Sequence, residues 1–168
     1  MTPQQLQWLI QTAVEAGTAQ HVFPEMAACE AALESAYGTS KLAREDCNLF
    51  GVKQHKHPIF GTATIPTKEF IGGQWQVVGA DWVKYPGLAE CFADRMETLR
   101  RLQDVYPHYA AALAATDPFS YINEVSKSWS TDPDRAYKVA AIYQVYQASK
   151  RKPLDNSADV QTAVTNDN

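Results

Sequence analysis

The stretch Ala31 to Lys53, AALESAYGTSKLAREDCNLFGVK, decides how the chain reads. Pro24, seven residues upstream, pre-sets the first turn of a helix, and Met26, Cys29, Leu33 and Tyr37 recur at helical spacing as an apolar stripe that Gly38 ends. Glu34 falls at the flank of that stripe, where core gives way to solvent. A carboxyl partly stripped of water tends to keep its proton. A protonated carboxyl at the wall of a cleft can hand that proton to the leaving oxygen of a sugar, provided no ion pair beneath the surface locks it. A short helical turn over Ser40 to Asp46 follows, then Cys47-Asn48-Leu49-Phe50-Gly51, in which Asn48 holds a turn or meets a ligand while Leu49 and Phe50 fill the core.

Three blocks of this stretch, Leu33-Glu34-Ser35-Ala36-Tyr37-Gly38, Ser40-Lys41-Leu42-Ala43 and Asn48-Leu49-Phe50-Gly51-Val52-Lys53, resemble the signature of the FlgJ-like N-acetylglucosaminidases of glycoside hydrolase family 73, enzymes of bacteria and phages that cut peptidoglycan. The resemblance covers about Glu25 to Tyr146. It implies an α+β, lysozyme-like fold, mainly helical, with a small β-hairpin lobe flanking the cleft. It makes Glu34 the general acid and peptidoglycan glycan strands the substrate, with no cofactor. Two departures stand out: the family commonly has Gly-Trp where Ala36-Tyr37 stand, and more often Asn where Cys47 stands. Tyr37 keeps the aromatic character, either beneath a saccharide or in the core.

From Phe60 to Val83 two β-prone runs flank Gly72-Gly73 and predict a hairpin. Glu69 lies on it, in Thr67-Lys68-Glu69-Phe70. The family carries a second carboxylate in a similar segment, which makes Glu69 the candidate to activate water or stabilise charge on the sugar, with Asp81 in reserve. A separation of about 6.5 to 9.5 Å from Glu34 would leave room for a water and give inversion, whereas about 5 to 5.5 Å would favour a covalent route.

The third informative stretch is Ser128-Trp129-Ser130-Thr131-Asp132-Pro133. Thr131 or Asp132 can cap the helix that Pro133 begins, which Ala136, Val139, Ala140, Tyr143 and Tyr146 carry. The segment resembles the family's Tyr-Ala-Thr-Asp-Pro, whose aromatic lies near the catalytic cleft. Trp129 stands in its place, without a phenolic hydroxyl, and either stacks on a sugar or packs in the core. Tyr37, Asn48, Trp129 and Asp132 are thus the expected substrate-binding residues.

Elsewhere the signals are those of packing. A capping box at Thr2 and Gln5 opens a first helix carrying Leu6, Leu9, Ile10 and Val14, which Gly17 stops. Tyr85-Pro86-Gly87 opens a long helix, expected to be the central core helix, with Leu88, Cys91, Phe92, Met96, Leu99 and Leu102 inward. Its Arg95, Arg100 and Arg101 alternate with Asp94 and Glu97 as in an ordinary solvated face. Pro107 starts another helix, and Asp117-Pro118 caps the next, with Phe119, Ile122 and Val125 inward.

The 168 residues, 45 % of them hydrophobic, suit one domain with one core, expected over residues 1–149, with a polar and disordered tail at 150–168. The net charge is −4, and Asp155, Asp159 and Asp167, beyond Lys152 with no Lys or Arg after it, carry three of those charges. The nearly neutral body excludes a phosphate-binding cationic face, hence nucleic acid. No apolar run is long enough for a membrane span. Three cysteines without finger spacing argue against disulfides, and His55-Lys56-His57 lacks the further ligands of a zinc site, so no metal is expected. The first residues lack a secretory pattern, so the chain is expected to be made in the cytoplasm and to act as a monomer on the cell wall, in the periplasm or outside the cell, as a phage lysin would. Two rival functions remain: a muramidase or lytic transglycosylase on the same fold, and a non-catalytic glycan-binding or assembly module.

Overall fold

The structure, a computed structural model, describes residues 3–17 and 21–150; the side chains of residues 3, 16, 17 and 67–71 are outside the description. The predicted capping role of Thr2 and the tail at 151–168 therefore lie outside the described residues. The elements run α1 (Pro3–Gly17), α2 (Pro24–Glu34), α3 (Lys41–Asp46), β1 (Gly61–Ile71), β2 (Gln74–Lys84), α4 (Leu88–Leu102), α5 (Pro107–Leu113), α6 (Pro118–Trp129) and α7 (Arg135–Lys150). The chain is α+β, mainly helical with a single two-stranded sheet among the described residues.

Helix α2, not α4, is the centre of the core. Met26 through Ala32 are all buried, because Ala27, Ala28, Ala31 and Ala32 let neighbours approach on every side. Helices α1 and α7 pack on it directly. An all-round buried helix shows no polar face for periodicity to detect. On α4 the predicted inward residues Cys91, Phe92, Met96 and Leu99 are buried, and the prolines at 24, 107 and 118 begin helices as expected. On α1 the apolar phase runs Leu6, Leu9, Ile10, Ala13, all buried; the predicted Val14 is 37 % exposed because it falls one position round the wheel. Phe119 is likewise half outside, resting edge-on against Tyr143.

The hairpin runs from Gly61 to Lys84, where its β-prone runs placed it. Ile71 pairs with Gln74 and Gly61 with Lys84, with Pro66 accommodated opposite Gly79. Gly72 and Gly73, at φ 59° and 82°, form the two-residue turn whose twist matches antiparallel strands. Its base is tied to the segment after α3: Val83 N donates to Val52 O at 3.0 Å and Gln54 N to Asp81 O at 2.9 Å.

Candidate active site

Helix α2 ends at Glu34, four residues before the glycine predicted to stop it. Ala36, Tyr37 and Gly38 take positive φ values of 50°, 59° and 77°, which turn the chain back on the helix. The turn is closed from within: Tyr37 N donates to Ala32 O at 2.7 Å, Ser35 Oγ donates to Ala31 O, and Gly38 N donates to Ser35 Oγ at 2.8 Å. Tyr37 is therefore off the helical stripe, half-buried and packed on the core through the turn. The Gly-to-Ala departure at position 36 falls where a glycine would sit without strain.

The carboxylate of Glu34 stands in an ion pair, the arrangement that the sequence reading set against its role as a proton donor. Arg135 Nε donates to Glu34 Oε1 at 2.7 Å; the Glu34 side chain is 27 % exposed and the arginine 1 %. No partner is described for Oε2, so one edge of the carboxyl remains open. The partial shielding read from the helical wheel is present, and the ion pair engages one carboxylate oxygen while the side chain stays 27 % exposed.

Arg135 is the hub of the site. Its Nη2 donates to Glu30 Oε1 at 2.7 Å and its Nη1 to Ser126 Oγ at 3.0 Å, so each guanidinium nitrogen has its own acceptor. Glu30 is fully buried one helical turn before Glu34 and also accepts from Arg95 Nη2 at 2.8 Å. Arg95 is 0 % exposed, so the solvated pairing expected of it is corrected: its guanidinium is buried against α2. Burial works to raise the Glu30 pKa, but the pull of Arg95 and Arg135 outweighs it and holds the carboxyl below its usual range. Burial likewise opposes the charge on Arg135, and Glu30 and Glu34 overcome it, raising its pKa.

Trp129 joins the same cluster. Its ring lies 3.6 Å from Arg95 Cζ, close enough for a cation–π contact, and Phe50 flanks Arg95 at 5.5 Å. One face of the indole is thus already covered by Arg95, and a sugar could meet only what remains. Asp132 shapes the entry to α7: Oδ1 accepts from Asp134 N at 3.0 Å, Oδ2 pairs with Lys138 at 2.7 Å, and Arg135 N donates to Asp132 O at 3.2 Å. The Lys138 contact holds the Asp132 carboxyl below its ordinary pKa. Both oxygens of Asp132 are engaged in building the turn that delivers Arg135.

Asn48 is spent on backbone contacts. It is 1 % exposed; Nδ2 donates to Val52 O and Val83 O and Oδ1 accepts from Val52 N, all at 2.9 Å. With its amide spent on backbone it fastens the loop to β2 and has nothing left for a saccharide, so the structural role weighed in the sequence is the one the contacts describe. The backbone of Glu69 pairs with Gln76. Its side chain lies outside the described residues. Asp81, the reserve, accepts from Thr64 Oγ1 at 2.6 Å on an exposed face. Among the described residues no three of His, Cys, Asp and Glu gather as a metal site, His55 and His57 are exposed, and no helix is long and apolar enough to cross a membrane. Cys29 and Cys91 are buried thiols whose pKa burial pushes up to about 12.

The structure therefore brings Glu34 and Trp129 together through Arg135, Glu30 and Arg95, while Asn48 bonds only backbone of the loop and β2. Glu30, Arg95 and Arg135 were missed in the sequence, where the available signal was a lone acid among small apolar residues, four before Glu34.

Residues 10–148 match the family described as mannosyl-glycoprotein endo-beta-N-acetylglucosaminidase. Among curated proteins the chain is 28 % identical to exo-glucosaminidase LytG of Bacillus subtilis over 88 % of its own length and 55 % of LytG. It is 31 % identical to the peptidoglycan hydrolase FlgJ of Salmonella typhimurium over 73 % of its length and 39 % of FlgJ. The chain thus spans about half or less of these relatives. Among solved structures the catalytic domain of the autolysin Auto from Listeria monocytogenes superposes with a TM-score of 0.73 at 25 % identity, covering 89 % of each chain. The glycoside hydrolase domain of Salmonella typhimurium FlgJ, truncated at its C-terminus, gives 0.69 at 26 % identity over 86 % of this chain and 97 % of that one.

Proposed function

Because the chain belongs to the mannosyl-glycoprotein endo-beta-N-acetylglucosaminidase family, we propose that it is a peptidoglycan hydrolase, with Glu34 as general acid in cleavage of the β-1,4 bond between N-acetylglucosamine and N-acetylmuramic acid. The observation that carries this reading is the asymmetry of the buried charge cluster: of Glu30, Glu34, Arg95 and Arg135, Glu34 alone reaches solvent, with Oε2 open. Oε2 is the oxygen that holds and donates the proton.

A sugar laid over Glu34 removes its remaining water. As the proton passes to the glycosidic oxygen, the carboxylate left behind finds Arg135 already in place at Oε1, so the guanidinium stabilises charge that develops in the transition state. Glu69 is the proposed second carboxylate, activating water or stabilising the oxocarbenium-like sugar, and the anomer released reports which. The open part of the Trp129 ring and Tyr37 offer stacking surface for the saccharide. The chain supplies every group named, so the proposed unit of activity is a monomer, acting on the cell wall outside the cytoplasm.

Mass analysis of fragments released from purified sacculi tests the bond. Reducing-end N-acetylglucosamine is expected. Reducing-end muramic acid, or an anhydro sugar, would replace this reading with a muramidase or a lytic transglycosylase, and binding without soluble fragments would replace it with a non-catalytic module.

A further inference from the structure

We propose that Arg135 is a positioning residue for Glu34, and that Glu30, Ser126 and the Arg95–Trp129 stack hold that arginine in its working orientation. The inference rests on Glu34 being the proton donor.

Glu30 and Glu34 stand one turn apart on the same face of α2, where like charges repel. Arg135, reaching in from α7, bonds both through different nitrogens, and Ser126 of α6 takes the third. A planar guanidinium with all three nitrogens engaged has no freedom to rotate. Its Nε–H direction is set, so Oε1 of Glu34 is set, and Oε2 takes no bond from the described members of the cluster. Arg95 completes the device: it shares the same oxygen of Glu30 and is clamped between Trp129 and Phe50.

The cluster is a costly way to gain stability. Each buried ion carries a desolvation penalty of about several kcal/mol, and well-packed apolar side chains often serve a core as well or better. The four charges cancel as two arginines against two glutamates, with Glu34 the only one in contact with water. The cluster is built around Glu34 and would have no reason to end at solvent otherwise.

The groups with shifted pKa that face the network keep their state near neutral pH. His21, before α2, is pushed down to about 4 by burial; Tyr109 of α5 and Tyr121 of α6 are raised by burial; Glu30 is held low by its arginines and Arg135 raised by its glutamates. A change in the pH–rate profile of a network variant thus reports on Glu34.

The test is kcat, KM and the alkaline limb of the pH–rate profile for Arg135→Gln, Arg135→Lys and Ser126→Ala on soluble glycan strands, with Glu34→Gln alongside and folding followed by circular dichroism. Arg135→Gln should lower kcat about 10- to 100-fold with KM nearly unchanged, the scale of a misplaced reacting group. It should also move the alkaline limb upward, since the cation beside Glu34 is gone. Arg135→Lys should return the limb toward its original pH while kcat stays low, because the charge is restored without the three-point fork. Wild-type kcat and limb in both arginine variants would overturn the proposal. If either fails to fold, Ser126→Ala decides: a several-fold fall in kcat supports it and an unchanged kcat overturns it. An active Glu34→Gln would instead remove the underlying reading, while an inert Glu34→Gln with unaffected Arg135 variants would remove the positioning role alone.

Discussion

Replacing Glu30 by glutamine should be among the most destabilising single changes in this chain. The wild-type side chain is 0 % exposed and accepts from Arg95 at 2.8 Å and Arg135 at 2.7 Å through one oxygen. Glutamine keeps the volume and can still accept a hydrogen bond, but it leaves two guanidiniums, themselves 0 % and 1 % exposed, with only Glu34 to balance them. Breaking a buried pair by removing one partner costs about 3–5 kcal/mol, a large part of the roughly 5–15 kcal/mol that holds a domain together. At about 2–4 °C per kcal/mol for a domain of this size, the melting temperature should fall by roughly 6–20 °C. Urea unfolding followed by tryptophan fluorescence measures it. The companion variant Glu30→Met/Arg95→Met/Arg135→Leu, which removes the buried charges together, should recover most of that stability and none of the activity. A loss below about 1 kcal/mol for Glu30→Gln would refute the electrostatic account of the core.

Ala36→Gly should raise stability by about 0.5–1 kcal/mol, since the relief of a left-handed alanine at φ 50° exceeds the extra backbone entropy of glycine; an unchanged or lower urea midpoint would contradict this. Asn48→Ala strands Val52 O, Val83 O and Val52 N and should cost about 2–4 kcal/mol, while KM of the folded fraction stays put; a KM raised tenfold would make Asn48 a substrate contact after all. Burial lowers the His21 pKa from 6.5 to about 4, so the unfolded chain binds more protons between those values and stability is lost as pH falls through them. The loss is roughly 3 kcal/mol, and His21→Phe should remove most of that slope from a pH series of urea midpoints; an equally steep series in the variant would contradict it.

Local signals were legible where one residue dictates the backbone. Pro24 and Pro118 start their helices, Asp117 caps α6 by accepting from Phe119 N and Ser120 N, and Gly72-Gly73 makes the hairpin turn. Glu34 was found because its neighbours carry a family signature and its wheel position is at a boundary. Its surroundings were not, because they join residues far apart in the chain: Arg95 meets Glu30 across 65 positions and Arg135 meets it across 105. Helical spacing does set Arg95 apart from the exposed Arg100 and Arg101, since it falls four residues after Cys91 and four before Leu99 on the inward stripe of α4; its charge masked that position in the sequence. The hairpin was legible over nearly its whole length, and Pro66 is tolerated in its two-stranded sheet, paired opposite Gly79.

The most direct test of the central claim is the hydrolysis rate of Glu34→Gln on purified peptidoglycan, beside a wild-type control with the same circular dichroism spectrum. A glutamine oxygen can still accept from Arg135 Nε, so the fold and the network persist while the transferable proton is gone. The account predicts a fall of about 10²- to 10⁴-fold or more. Solubilisation of the wall at the wild-type rate by that variant would contradict it.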